Sequence, residues 1–148
     1  MRRTTVWIVV ILFMSLSAGT VIADDLAKVK GAGEIKMAMS GQYPPFNFVN
    51  DQNQLTGFDV EIGQAVAERI GIKGVPLSTA WDGIIAGLLA NKYELICGSM
   101  AITEERLKSI DFSDPYYRSG AQLFVKKGSA VKSVADLTGK KGGVTLGT

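Results

Sequence analysis

Apolar positions along this chain follow two rhythms. Over residues 34–40 they alternate, with Ile35, Met37 and Met39 on one face and Lys36 and Ala38 between them, the period of a strand. From Phe58 they recur at helical spacing through Ile62, Ala65, Val66 and Ile70, and Gly71 follows as a plausible C-cap. Thr56, three residues before Asp59, resembles the start of a capping box. Asp59 and Glu61 stand two apart on that helix and so face different ways, which makes capping and solvation the better account of them than paired acid–base chemistry. Residues 75–78 suit a second strand, with Pro76 near its start. Thr79 and Asp82 repeat the capping pattern, and Ile84, Ile85, Leu88 and Leu89 form the stripe of a second helix that ends at Asn91 and Lys92. The short apolar run 95–97 has the length of a buried strand. Thr103 can cap a further helix whose first turn holds Glu104, Glu105 and Arg106. Strands alternating with helices predict an α/β fold, a sheet flanked by helices.

Between these elements lie the loops. Two prolines in Tyr43-Pro44-Pro45-Phe46 are expected to hold that segment extended and to display Tyr43, while Phe46 and Phe48 pack on the core. Residues 50–54 read as a turn or hairpin. Residues 24–33 are polar and read as a lead-in. Polarity changes abruptly at Gly98-Ser99-Met100-Ala101, after the third strand. If the sheet is parallel, Tyr43, Trp81 and Ser99 share its carboxyl edge, where ligands bind in open α/β sheets. A loop with free N–H groups and a guanidinium one turn into the next helix can receive a carboxylate, because both donate in fixed directions.

The first residues carry a different signal. Arg2 and Arg3 precede the apolar run 6–14, and Val21-Ile22-Ala23 fits the small-x-small rule of a signal-peptidase site. Residues 1–23 are therefore expected to be a cleaved signal peptide that exports the chain to an oxidising compartment. The apolar run is about half the ~20 residues a spanning helix needs. Taking Arg2 and Arg3 from the 16 basic residues leaves 14, equal to the 14 acidic ones. A neutral mature chain with no basic cluster argues against a nucleic-acid partner. The single cysteine, Cys97, lies in an apolar strand and reads as a small buried hydrophobe. With no histidine and no cysteine cluster, neither a metal site nor a cofactor is expected.

Five stretches carry a family resemblance: Y-P-P-F-N-F (43–48), G-F-D-V-E-I (57–62), W-D-G-I-I-A-G-L (81–88), A-I-T-E-E-R (101–106) and D-F-S-D-P-Y-Y (111–117). In this order and at these spacings the chain resembles the periplasmic solute-binding proteins of polar amino-acid ABC transporters, extracellular family 3, from about Glu34 to Thr148. The resemblance implies a bilobal protein that closes on its ligand about a hinge and is then read by a membrane permease. It implies no catalysis, and a monomer at full length.

Carried onto this sequence, it implies that Arg106 grips the ligand's α-carboxylate. Gly98, Ser99 and Ala101 would line the same loop. Ala101 departs from a frequent Ser or Thr, so only its backbone N–H is carried over. Tyr43 and Trp81 would flank the ligand side chain. Ser40 stands where several relatives have an Asp, and it cannot neutralise a cation, which favours a neutral polar or acidic amino acid. The resemblance divides the chain into a signal peptide (1–23), lobe one (24–120), a hinge crossing strand (121–127) and the start of lobe two (128–148). Residues 111–117 would close the first lobe, and residues 142–146 would be a strand of the second. Ser133, with Asp136 three residues on, would cap a short helical turn stopped by Gly139. The pattern stops inside lobe two, so an incomplete sequence or a truncated product is expected. Two alternatives use the same fold: a dehydratase of aromatic-amino-acid precursors, and the ligand-binding module of a membrane sensor.

Overall fold

The computed structural model describes residues 25–147. The expected signal peptide and its cleavage site lie outside the described residues. Element order is α1 (Asp25–Ala32), β1 (Glu34–Met39), β2 (Gln42–Tyr43), β3 (Asn47–Val49), β4 (Leu55–Thr56), α2 (Phe58–Arg69), β5 (Lys73–Ser78), α3 (Ile84–Leu89), β6 (Leu95–Ile96) and α4 (Glu104–Leu107). Short 3-10 turns at Trp81–Gly83 and Val134–Leu137 complete it. The polar lead-in is helix α1, anchored by buried Val29.

β1 is the centre of a parallel sheet of order β5-β1-β6. Met37, Ala38 and Met39 are all fully buried, so the strand is covered on both faces rather than on the one its alternation suggested. Met37 and Met39 pack with Val60 of α2 and with Cys97. Ala38, on the opposite face, packs with Ile84 of α3 and with Tyr93. The helices thus sandwich the sheet. Pro76 falls on β5, an edge strand, where its missing N–H costs the ladder little.

The helix faces differ from the expected stripes. In α2 the buried residues are Asp59, Val60, Gly63 and Ala67, while Phe58 and Val66 are exposed. Small residues on this face let the helix lie close to the sheet. A Cβ on Gly63 would come 2.6 Å from Met37 Sδ. In α3 Ile84 and Gly87 are buried, whereas Leu89 is exposed.

The expected caps at Thr56 and Thr79 do not form. The first N–H groups of α2, those of Phe58 and Asp59, donate instead to the carbonyls of Pro45 and Phe46, at 3.2 and 2.8 Å. That docking needs Gly57 at the cap, with φ 118°, because a Cβ there would strike both carbonyl oxygens. Residues 43–46 accordingly form a tight turn, closed by Phe46 N–H to Tyr43 O at 2.8 Å, and not the extended segment the prolines suggested.

β2, β3 and β4 make a small antiparallel sheet, with the expected hairpin turn at 50–54 closed by Asn50 N–H to Gln54 O at 2.9 Å. The cap at Thr103 forms, and so does the capping box of Ser133 and Asp136.

Residues 121–126 and 142–146, expected as strands, join neither sheet. Phe124, Val144 and Leu146 are 83%, 90% and 74% exposed. Such strands form only when a neighbouring strand offers its hydrogen-bonding edge, and among the described residues none lies beside them.

Candidate functional site

At the carboxyl edge of the sheet, β1 ends at Met39, β5 at Ser78 and β6 at Ile96. The loops leaving β5 and β6 converge there. Trp81 comes after β5, packed on the cluster around Ala38, Ile84 and Tyr93. Gly98 lies just past β6 and is buried, with Trp81 and Met39 so near that a Cβ would lie 3.7 and 3.4 Å from them. Arg106 sits in α4, its guanidinium 5.8 Å from the Trp81 ring centroid, within range of a cation–π contact.

Two donors meet here. Trp81 Nε1 donates to the carbonyl of Gly147 at 3.1 Å. Arg106 Nη2 donates to that same oxygen at 2.7 Å, while its Nη1 donates to Ala101 O at 2.8 Å. Among the described residues, the N–H of Ala101 has no acceptor. A pocket of about 160 Å³ opens between these groups, lined by Trp81, Asp82, Ile84, Ile85, Met100, Arg106 and Gly147. Its walls are an indole, aliphatic side chains and a thioether. A guanidinium and a carboxylate supply the polar ends. Such a site suits a small molecule with an oxygen acceptor at one end.

The remaining expected site residues are placed differently. Ser99 lies on the same loop, but both its donors are engaged within the protein. Its N–H donates to the Tyr116 hydroxyl at 3.0 Å, and its Oγ donates to Asp59 at 2.8 and 2.9 Å. Ser40 Oγ donates to Asn47 Oδ1 at 2.9 Å. Tyr43 does not line the pocket. Its ring stacks on Phe46 at 4.9 Å, and Phe46 stacks on Tyr117 at 5.1 Å. Phe46 thus packs in a partly exposed aromatic group, and neither it nor Phe48 belongs to the buried clusters on which both were expected to pack.

Asp59, expected to be capping or solvated, is fully buried. Its carboxylate accepts from Asn47 Nδ2 at 2.6 Å, from Ser99 Oγ, and from the Tyr116 hydroxyl at 2.7 Å. Among the described residues no cation pairs with it. Burial together with this bond to the Asp59 carboxylate holds the Tyr116 hydroxyl above its ordinary pKa. Cys97, nearby and 5% exposed, has its thiol pushed up to about 11, first by burial and then by the charge of Asp59. It is the inert buried hydrophobe expected of it. The sequence did hold a signal for Asp59: it precedes Gly63 and Ala67 at i, i+4, i+8, on the face of smallest residues.

The family model of the bacterial extracellular solute-binding proteins, family 3, matches residues 35–141. The chain is 43% identical over 125 residues to the L-cystine-binding protein TcyJ of Escherichia coli K12, covering 83% of this chain and 47% of that protein. It is 37% identical over 115 residues to the L-arginine-binding protein of Pseudomonas aeruginosa, covering 77% and 44%. The chain spans about half the length of these relatives. Among solved structures, the arginine-bound form of domain 1 from TmArgBP matches with a TM-score of 0.60 and 38% identity, over 61% of this chain and 71% of that one. An ancestral amino acid-binding protein, precursor of cyclohexadienyl dehydratase, matches with a TM-score of 0.61 and 38% identity, over 63% and 41%. With the five motifs in place and the α/β lobe of this fold around them, the chain belongs to the bacterial extracellular solute-binding proteins, family 3.

Proposed function

We propose that this chain forms the ligand-receiving lobe of a periplasmic protein that captures a polar amino acid and presents it to an ABC-transporter permease. One observation carries the reading. Trp81 and Arg106, from different elements, aim their donors at a single oxygen beside an apolar wall. A ligand carboxylate would offer Arg106 the same kind of acceptor with a full charge, which strengthens the bond. Ala101 N–H would add a third donor. Gly98 keeps the loop close under Trp81, and Ser99 holds it in place. Tyr43 would join from the β2–β3 turn, and Ser40 would offer a hydroxyl rather than a charge to the ligand side chain.

Residues 24–120 would be lobe one, 121–127 the hinge crossing and 128–148 the beginning of lobe two. Ligand contacts made only when two lobes meet would drive closure, as any ligand-induced shift requires. The solved likeness to a lone, arginine-bound domain 1 supports a first lobe holding its ligand alone. The names of the relatives support an amino acid as ligand. Removal of residues 1–23 would place the protein outside the cytoplasm, as a monomer.

Calorimetric titration with L-cystine, L-arginine, L-histidine, L-glutamine and L-glutamate tests this. Saturable binding of one of them is expected, and silence across the panel overturns the reading. The site is assigned no reaction. A turnover assay with prephenate is expected to show no product, and steady conversion would make the protein an enzyme.

A further inference from the structure

Asp59, Tyr116 and Ser99 close a triangle of hydrogen bonds. The Tyr116 hydroxyl donates to Asp59 Oδ1, Ser99 Oγ donates to both Asp59 oxygens, and Ser99 N–H donates back to the Tyr116 hydroxyl. We infer that Asp59 is a positioning residue for the ligand carboxylate: through this triangle it sets the direction in which the loop from Ser99 to Ala101 presents its donors.

The loop is held in an unusual shape. Ser99 has φ 55°, in the left-handed region that non-glycine residues seldom occupy. A backbone keeps such a conformation only where its surroundings over-determine it. Here both ends of the residue are tied, the amide to Tyr116 and the hydroxyl to Asp59. The next residues then place the Ala101 carbonyl where Arg106 Nη1 reaches it at 2.8 Å. Arg106 is thereby anchored through Nη1, while Nη2, held by the Gly147 carbonyl, and the N–H of Ala101, which has no acceptor among the described residues, are the donors a ligand carboxylate would take. Asp59 itself is fully buried and touches none of the pocket-lining residues through these bonds, so it acts on the ligand only through others.

The second feature is the identity of the donors. A buried carboxylate with a cationic partner would form an ion pair. Asp59 is instead held by an amide and two hydroxyls, which are neutral and directional. Asn47 in turn is fixed through its Oδ1, which accepts from Gly41 N–H at 2.9 Å and from Ser40. The network therefore runs from the end of β1, through the first turn of α2, to the end of β6 and on to the 111–117 loop. It makes the angle of the carboxylate-receiving loop a property of these joined elements and not of the loop alone.

For its ligand this inference rests on the proposed amino-acid site. The experiment compares the whole chain with its Tyr116→Phe and Asp59→Asn variants, with Tyr117→Phe as control, since among the described residues Tyr117 makes ring contacts and no hydrogen bond to the triangle. Binding of L-cystine, L-arginine, L-histidine, L-glutamine and L-glutamate is measured well below the melting temperature, beside the α-carboxamide of whichever binds. Tyr116→Phe is expected to weaken the amino acid by about tenfold and the carboxamide hardly at all. Tyr117→Phe should leave both unchanged. A lowered melting temperature with unchanged affinity would make the triangle merely structural and overturn the inference, as would equal losses for acid and carboxamide.

If the unaltered chain binds none of the five, the amino-acid reading fails. The positioning is then judged by nuclear magnetic resonance. Tyr116→Phe should speed amide exchange at Ser99 and shift the Arg106 Nε–H resonance. Unmoved signals would overturn it.

Discussion

Trp81 and Arg106 share one acceptor: the Gly147 carbonyl takes a bond of 3.1 Å from the indole and one of 2.7 Å from the guanidinium. The two side chains also lie against each other, ring to cation. Each therefore holds the other at the angle from which both can reach the same atom.

Arg106→Ala removes the charged half of this clamp. Loss of a charge-assisted bond of this kind should weaken amino-acid binding by about 2–3 kcal/mol, close to two orders of magnitude in Kd. Arg106→Lys keeps the charge without the planar fork and should recover only part of it. Titration calorimetry of the two variants checks both.

Trp81→Phe separates the indole N–H from the aromatic face. The ring wall stays, and one neutral hydrogen bond goes, so a loss of about 1 kcal/mol is expected. Trp81→Ala removes the wall as well and should cost clearly more. Equal losses in the two variants would show that the N–H, and not the face, is what the ligand feels.

Gly87 faces the ring of Tyr93, and a Cβ there would meet the Tyr93 hydroxyl. That hydroxyl is anchored on Ile84 O at 2.5 Å, and the ring is buried. A rigid neighbour cannot yield as Met37 could at Gly63. Gly87→Ala should therefore destabilise by about 1–3 kcal/mol, read as a lower midpoint in urea, while Gly63→Ala costs less.

Stability should fall with alkalinity. The folded Cys97 thiol is held near 11 against an ordinary 9.0, so the native state keeps a proton that the unfolded chain releases. Tyr116 is shifted in the same direction. The stability that Cys97 lends is complete below pH 9 and drains away as pH rises toward 11. Melting curves across that window check it. In the same range, thiol reagents should modify the native protein far more slowly than the denatured one.

Most of the fold was legible because its strands and helices announce themselves by period. β1, β5, α2, α3 and the Thr103 cap stand where the pattern put them, within a residue or two at their ends. The faces of the helices were less legible. Counting apolar residues placed Phe58 and Val66 inside, whereas close packing against β1 selected Gly63 and Ala67, which add almost nothing to an apolar pattern. Asp59 was misjudged for the same reason. A buried carboxylate is recognisable only through its donors, and Asn47, Ser99 and Tyr116 lie 12, 40 and 57 residues away. Of the site, Trp81, Gly98, Ala101 and Arg106 do come together, since each lies beyond or faces the end of a strand. The strands expected at 121–126 and 142–146 depend on partners that local sequence does not supply.

The sequence holds two tryptophans, Trp7 and Trp81, and Trp7 lies in the segment expected to be removed. Residues 24–148 carry a single indole, half-buried and facing a guanidinium at the mouth of the pocket. Its emission would be a built-in optical reporter: arrival of an anion on Arg106 would change the field across that one fluorophore, and occupancy could be followed without a label.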